Sequence, residues 1–121
     1  MGNAYNKAKG SKWESDIESY LNDNDLHARR LPRAGAKDIG DVSITLKSRA
    51  VIVVEAKNVA RENMSDFLRQ AEVESDNYEE KYSGVTYGVV VVKARGKGTS
   101  SGRVTMTLET LRDLLHGEGI A

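Results

Sequence analysis

The fold turns on Gly40-Asp41-Val42-Ser43-Ile44-Thr45-Leu46-Lys47-Ser48-Arg49-Ala50-Val51-Ile52-Val53-Val54-Glu55-Ala56-Lys57. From Asp41 to Leu46, polar Asp41, Ser43 and Thr45 alternate with apolar Val42, Ile44 and Leu46. That is the period of a half-buried strand. Lys47, Ser48 and Arg49 read as a turn. Ala50 to Ala56 is a β-branched apolar run, the composition of a central strand. A three-residue turn centred on Ser48 places Asp41 directly opposite Glu55. Alternation puts Glu55 and Lys57 on one face.

Like charges directly opposed across two strands repel, so something must neutralise Asp41 and Glu55. A divalent cation would, and an oxygen-rich site suits Mg²⁺ or Mn²⁺. Lys57 would then aim its ammonium at the same space, where it can orient or deprotonate a water. This is the layout of a phosphodiester hydrolase. The same residues also fit a plainer arrangement, with Asp41 at a strand start in solvent and Glu55 and Lys57 as a surface pair at a sheet edge.

Upstream of this stretch, Trp13, Ile17, Tyr20 and Leu21 recur at helical spacing, which predicts a helix over Ser11 to Asn24. Ser11 and Glu14 fit a capping box. Glu14 also lies at the edge of the apolar stripe, where it can face inward toward the strand ends. Met1 to Gly10 is polar and expected to be loosely attached. Leu26 to Leu31 reads as a short strand, followed by a basic, Gly-containing loop.

Downstream, Ser65 reads as the cap of a helix reaching Tyr82, with Phe67, Leu68, Ala71, Ser75, Tyr78 and Tyr82 along one side. Thr86 to Val92 is a second buried strand, and Arg103 to Met106 a short one. Thr107 caps a last helix, with Leu108, Leu111, Leu114 and Leu115 expected inside and Gly117 as its stop. The strand, long helix and strand make a crossover, so those two strands are expected to be parallel. The fold class is α/β, with a mixed central sheet flanked by helices.

The chain has 121 residues, enough for one domain. With 39% apolar and 30% charged residues, one Pro and 11 Gly, it is neither collagen-like nor Pro-rich. No apolar stretch approaches a membrane span. With no Cys, disulfide frameworks and thiolate metal sites are excluded. A cytoplasmic protein is the simplest expectation.

The 18 basic and 18 acidic residues cancel, but they are not mixed evenly. Three acid-free basic groups stand out: Lys7, Lys9 and Lys12; Arg29, Arg30, Arg33 and Lys37; and Lys93, Arg95, Lys97 and Arg103. If they converge they form a phosphate-binding surface; otherwise they are ordinary solvated charge. Arg33 and Lys37 immediately precede Asp41 and could grip phosphates beside a scissile bond. Gly35 could let DNA approach closely. Arg29 and Arg30 point to opposite faces of their strand. His27 and His116 have no second ligand at metal spacing, and structural roles are expected for both.

Glu14, Gly40-Asp41 and Glu55-Ala56-Lys57 together resemble the PD-(D/E)xK nuclease superfamily. The arrangement is similar to the archaeal-type Holliday junction resolvases and the small resolvases of bacteriophages. Arg33 to Asp41, Glu55-Ala56-Lys57, and Tyr87 to Lys93 followed by Arg95-Gly96-Lys97-Gly98 look like the phage branch. The resemblance runs from about Lys9 to Leu115. It implies a restriction-endonuclease-like αβββαβ core in one nuclease domain over residues 11–117, with 118–121 as a tail. It also implies a Mg²⁺-dependent endonuclease, with Mn²⁺ as a substitute, that cuts opposed strands of four-way DNA junctions as a symmetric homodimer.

By the same resemblance, Asp41 and Glu55 would be metal ligands, joined by the carbonyl of Ala56. Lys57 would position the attacking water, and Glu14 matches the glutamate of the first helix. Gln70 falls where some members place a site-lining Gln. Archaeal members often carry Ser in the loop before the catalytic Asp; Ala34 stands at the nearest position here. The second helix, with Phe67, Tyr78 and Tyr82, and the last helix are candidate dimer surfaces. Two other functions fit the pattern. One is a nuclease for other branched, nicked or duplex DNA. The other is a DNA-binding module without catalysis, which the intact acidic pair and lysine disfavour.

Overall fold

The computed structural model describes residues 3–33 and 37–121. Ala34 and Gly35 lie outside the described residues. The elements are α1 (Asn3–Asp23), β1 (His27–Arg30), β2 (Val42–Thr45), β3 (Val51–Lys57), α2 (Met64–Tyr82), β4 (Thr86–Val92), β5 (Arg103–Thr105) and α3 (Leu108–Gly117), with a 3-10 turn at Thr99–Ser101. The strands lie in chain order in one sheet. β3 and β4 are parallel, as a crossover through α2 requires, and the other pairs are antiparallel. The fold is therefore the expected mixed α/β sheet flanked by helices.

The hairpin register follows from its turn. Val42 pairs with Val54 and Thr45 with Val51. Leu46 N–H donates to Ala50 O and Arg49 N–H to Leu46 O, each at 2.9 Å, which closes the turn around Ser48. Continuing the register one step beyond Val42 brings Asp41 opposite Glu55. The Asp41 N–H donates to Val54 O at 2.9 Å, tying the residue to β3 even though β2 proper begins at Val42.

The two faces of the sheet are covered by different helices. Trp13 and Ile17 of α1 pack with Ala28, Val42, Val54 and Val89. The Trp13 indole N–H donates to Val91 O at 3.2 Å, so the ring is buried without stranding its polar atom. On the other face, Ala71 packs with Val90 and Val92, flanked by Met64, Phe67 and Leu68. Gly88 brings α2 onto β4, since a Cβ there would stand 2.7 Å from Ala71 O. By alternation, odd-numbered Val53, Glu55 and Lys57 share a side of β3 opposite to Val54. In parallel β4, Val90 lies on the α2 side beside Glu55. The hydrophilic members of β3 are therefore presented beneath α2.

Four expectations are corrected. First, α1 begins at Asn3, so the segment expected to be loosely attached is helical from there, and Ser11 is not a cap. Ala4, Lys7, Ala8 and Lys9 are strong helix formers, and they carry the helix through Gly10 without an apolar stripe. Second, α2 is capped by Asn63 rather than Ser65: its side chain accepts from Asp66 N–H at 3.3 Å. Third, Thr107 caps α3 as expected, but Leu108 and Leu111 are exposed, and only Leu114 and Leu115 are half-buried. Among the described residues α3 meets the sheet chiefly at β4. Fourth, Gly117 is the last helical residue, and the left-handed turn falls at Gly119 (φ 68°). Among the described residues no helix is long and apolar enough to cross a membrane.

Candidate active site

Gly40 starts the construction of the site. Its φ of +100° is open to glycine and costly for other residues. A Cβ there would meet Val53 Cγ1 at 2.6 Å. Glycine thus lets the loop fold tightly over β3 and deliver Asp41 at the mouth of β2. Asp41 and Glu55 are both buried, at 6% and 4% exposure. Asp41 Oδ2 accepts the Ala56 backbone N–H at 2.8 Å. The surface-pair arrangement is therefore excluded: both acids are inside, and they flank one cleft.

That cleft has a volume of about 670 Å³ and opens between α1, α2 and the ends of β2 and β3. Glu14, Asp41, Glu55, Ala56 and Lys57 all line it, together with Gln70. Lys57 Nζ stands 3.8 Å from Glu55 Oε1 and 4.8 Å above the centre of the Phe67 ring. A cation over an aromatic face is attracted to it, so Phe67 holds the ammonium at the acid's edge. The sequence placed Phe67 on the buried side of α2 and in a candidate dimer surface, with no link to Lys57.

Glu14 is buried at 3% exposure and is not a helix cap. Arg33 and Arg30 donate to its two oxygens, at 2.5 Å and 3.4 Å. Arg33 also donates to Asp41 Oδ1 at 3.2 Å. Arg30 is further held by Ser15 and Ser11. Arg29 is exposed, as alternation along β1 requires. Lys37 pairs with Glu80 of α2 at 3.1 Å rather than standing among the carboxylates.

Of the basic groups, Lys7, Arg30 and Arg33 border the acidic cleft. Lys12 instead pairs with Asp16. Lys93, Arg95, Lys97 and Arg103 line a second cleft of about 560 Å³ with Val59, Ala60 and Glu62. Among the described residues the two clefts share no lining residue, although Lys93 N–H of one donates to Lys57 O of the other at 2.9 Å. The basic segments thus border two clefts, not a single patch.

Two acids missed in the sequence complete the site. Glu74 of α2 is 1% exposed, and Asp38 lies in the loop before Gly40. Asp38, Glu55 and Glu74 each offer an oxygen within 4.8 Å of the others. Glu74 falls three residues after Ala71 and four before Tyr78, on the buried side of α2. That spacing was the available signal, masked by the many other acids of the helix.

The electrostatics follow from burial. Desolvation and the neighbouring Glu55 push the Asp41 carboxyl up to about 7, against the Ala56 N–H and Arg33. Desolvation pushes Glu55 up to about 8, with Glu74 adding to the rise and Lys57 opposing it. Desolvation lifts Glu74 to about 7, with Asp38 and Asp41 contributing. Glu14 is raised by burial and by Asp41, and partly offset by its two arginines. The site therefore holds more acid than its own cations balance.

A divalent cation fits these residues. Glu55 Oε2 is buried and has no hydrogen-bond partner among the described residues, and buried polar atoms are ordinarily satisfied. The donors are hard carboxylate oxygens, which suit Mg²⁺ or Mn²⁺. Asp41 and Glu55 could hold such an ion at the cleft floor, where Ala56 is also placed.

No protein-family model matches the chain, and no curated protein sequence matches it. Among solved structures the chain is similar to a repair endonuclease from Pyrococcus abyssi, with a TM-score of 0.49 and 17% identity. The match covers 88% of this chain and 43% of that one, so this chain spans less than half of that structure's length.

Proposed function

We propose that the chain is a metal-dependent DNA endonuclease that resolves four-way junctions by paired nicks, acting as a homodimer. The observation that supports the catalytic part is the meeting of Asp41, Glu55 and Lys57 in one cleft, with the two acids buried on neighbouring strands. The junction substrate and the twofold assembly rest on the resemblance of the Arg33–Asp41, Glu55–Lys57 and Tyr87–Gly98 motifs to phage and archaeal resolvases.

In this reading Asp41, Glu55 and the Ala56 carbonyl hold Mg²⁺, with Mn²⁺ as a substitute. When bound, the ion polarises a phosphodiester and acidifies water. Lys57 orients the attacking water through its ammonium, which Glu55 and Phe67 hold in place. Glu14 keeps Arg33 beside Asp41, where the guanidinium can also meet a DNA phosphate. Arg30 lines the same wall, and Gln70 the opposite one. Lys93, Arg95 and Lys97 take phosphates in the second cleft. Arg29 and Lys37 line neither cleft and would meet phosphates only outside them. The Lys37–Glu80 pair is exposed on both sides and costs little to break.

The experiment is cleavage of a synthetic four-way junction and of linear duplex of the same sequence, each with Mg²⁺ or with EDTA. Paired, Mg²⁺-dependent nicks confined to the junction support the reading. Equal cleavage of duplex would move the substrate to DNA in general. Binding without any cleavage would leave a DNA-binding module.

A further inference from the structure

We propose that Asp38, Glu55 and Glu74 form a second divalent-cation site on the α2 side of the cleft, so that the chain binds two oxygen-seeking cations with Glu55 serving both. The inference builds on the proposed catalytic site only in sharing Glu55; it does not require DNA to be the substrate.

Three observations carry it. The first is proximity: one oxygen from each of the three acids lies within 4.8 Å of the other two, the spacing of ligands around one small ion. The second is that the buried oxygens of the cluster meet no donor. Both Glu74 oxygens and Glu55 Oε2 are buried with no hydrogen-bond partner among the described residues. Glu74 is 1% exposed, and an isolated carboxylate at such depth is costly unless something positive or protonated meets it. The third is the contrast with the α1 side. There, Glu14 is equally buried but already satisfied by Arg33 and Arg30. The surplus negative charge lies toward α2, and Lys57 stands 3.8 Å from Glu55 Oε1, on one of its oxygens only.

The supporting shell is built for this position. Asp38 Oδ1 accepts the Gly40 N–H at 3.0 Å, and Asn77 of α2 donates to Asp38 O at 2.8 Å. The loop is thus anchored to the helix that supplies Glu74. Hydrogen bonds that fix a ligand in this way are what metal sites need beyond their ligands. Asp38 is exposed and borders the cleft, which gives an ion a path inward.

The test is Mn²⁺ binding to the full chain by titration calorimetry, with free Mn²⁺ followed by its electron-paramagnetic-resonance signal. Wild type should bind two ions. Glu74→Gln and Asp38→Asn should each weaken one of them by about tenfold or more and leave the other. At about pH 8, Glu74→Gln should also melt no lower than wild type without metal, because it then removes a buried unpaired carboxylate, and should gain less stability from Mn²⁺. Asp38 is exposed, so Asp38→Asn keeps the test open if Glu74→Gln folds poorly. A wild type that binds one ion, or variants that bind two with unchanged affinity, would overturn the site. Two bound ions without cleavage of any DNA would support the site and contradict the nuclease reading.

Discussion

Asp41 Oδ2 and the backbone N–H of Ala56 are joined across two strands at 2.8 Å. The bond fixes which way the Asp41 carboxylate faces. It also locks the loop before β2 to the end of β3, where Glu55 and Lys57 project. The geometry of the acidic cleft and the strand register are therefore one feature, and disturbing the loop should disturb both.

Gly40→Ala tests that dependence. The new methyl must clear Val53 Cγ1, 2.6 Å from its ideal position, at a φ of +100°. The expected loss is about 1–3 kcal/mol of stability. Urea unfolding should show a lower midpoint with an unchanged slope. An unchanged midpoint would mean that the loop relaxes freely.

The metal-free protein should lose stability as pH rises. Asp41, Glu55 and Glu74 ordinarily titrate near 3.8 to 4.5, and folding raises them to about 7, 8 and 7. The native state therefore holds protons that the unfolded chain has released. This contribution is fully present below the ordinary carboxylate range and is lost as pH climbs through about 7 to 8. In EDTA, the melting temperature should fall between about pH 5 and pH 8, and added Mg²⁺ should restore it at the alkaline end. A flat profile in EDTA would contradict the burial of these acids.

Arg33→Ala separates attraction for metal from attraction for DNA. Its guanidinium donates to Asp41 Oδ1 at 3.2 Å, but it is largely exposed, so solvent screens the pair. Removing it should tighten Mn²⁺ binding by up to about fivefold, the worth of an exposed ion pair. DNA affinity should fall, with a shallower salt dependence. Weaker Mn²⁺ binding in the variant would show that Arg33 organises Asp41 rather than competing for it.

Phe67→Leu tests the support of Lys57. The ring centre lies 4.8 Å below Nζ, and leucine keeps an apolar contact without the aromatic face. Under the nuclease reading, kcat should fall by about threefold to thirtyfold with KM little changed, the range of one cation–π contact. Equal losses in kcat and stability would assign Phe67 to packing alone.

The central hairpin was legible in the sequence because two local signals agree. Alternation over Asp41 to Leu46 fixes the face, and the short turn at Ser48 fixes the register. The crossover through α2 was legible for a similar reason, because strand, helix and strand in that order admit one common handedness. Glu74 was not legible. It is one of several acids in α2, and helical spacing alone does not show that a buried strand acid faces it. Leu108 and Leu111 illustrate the converse: a wheel shows which residues share a face but not whether anything covers it. Arg33 was read as a phosphate ligand, but its contacts with Glu14 and Asp41 needed α1 to be placed.

The most direct measurement is Mg²⁺-dependent cleavage of a four-way junction by wild type, Asp41→Asn and Glu55→Gln, with junction binding measured alongside in Ca²⁺. Each variant keeps the side chain's shape and removes one anionic oxygen donor. The account predicts that both lose at least about a thousandfold in cleavage rate, several kcal/mol of transition-state stabilisation, while still binding the junction. Cleavage at the wild-type rate by both variants would contradict it.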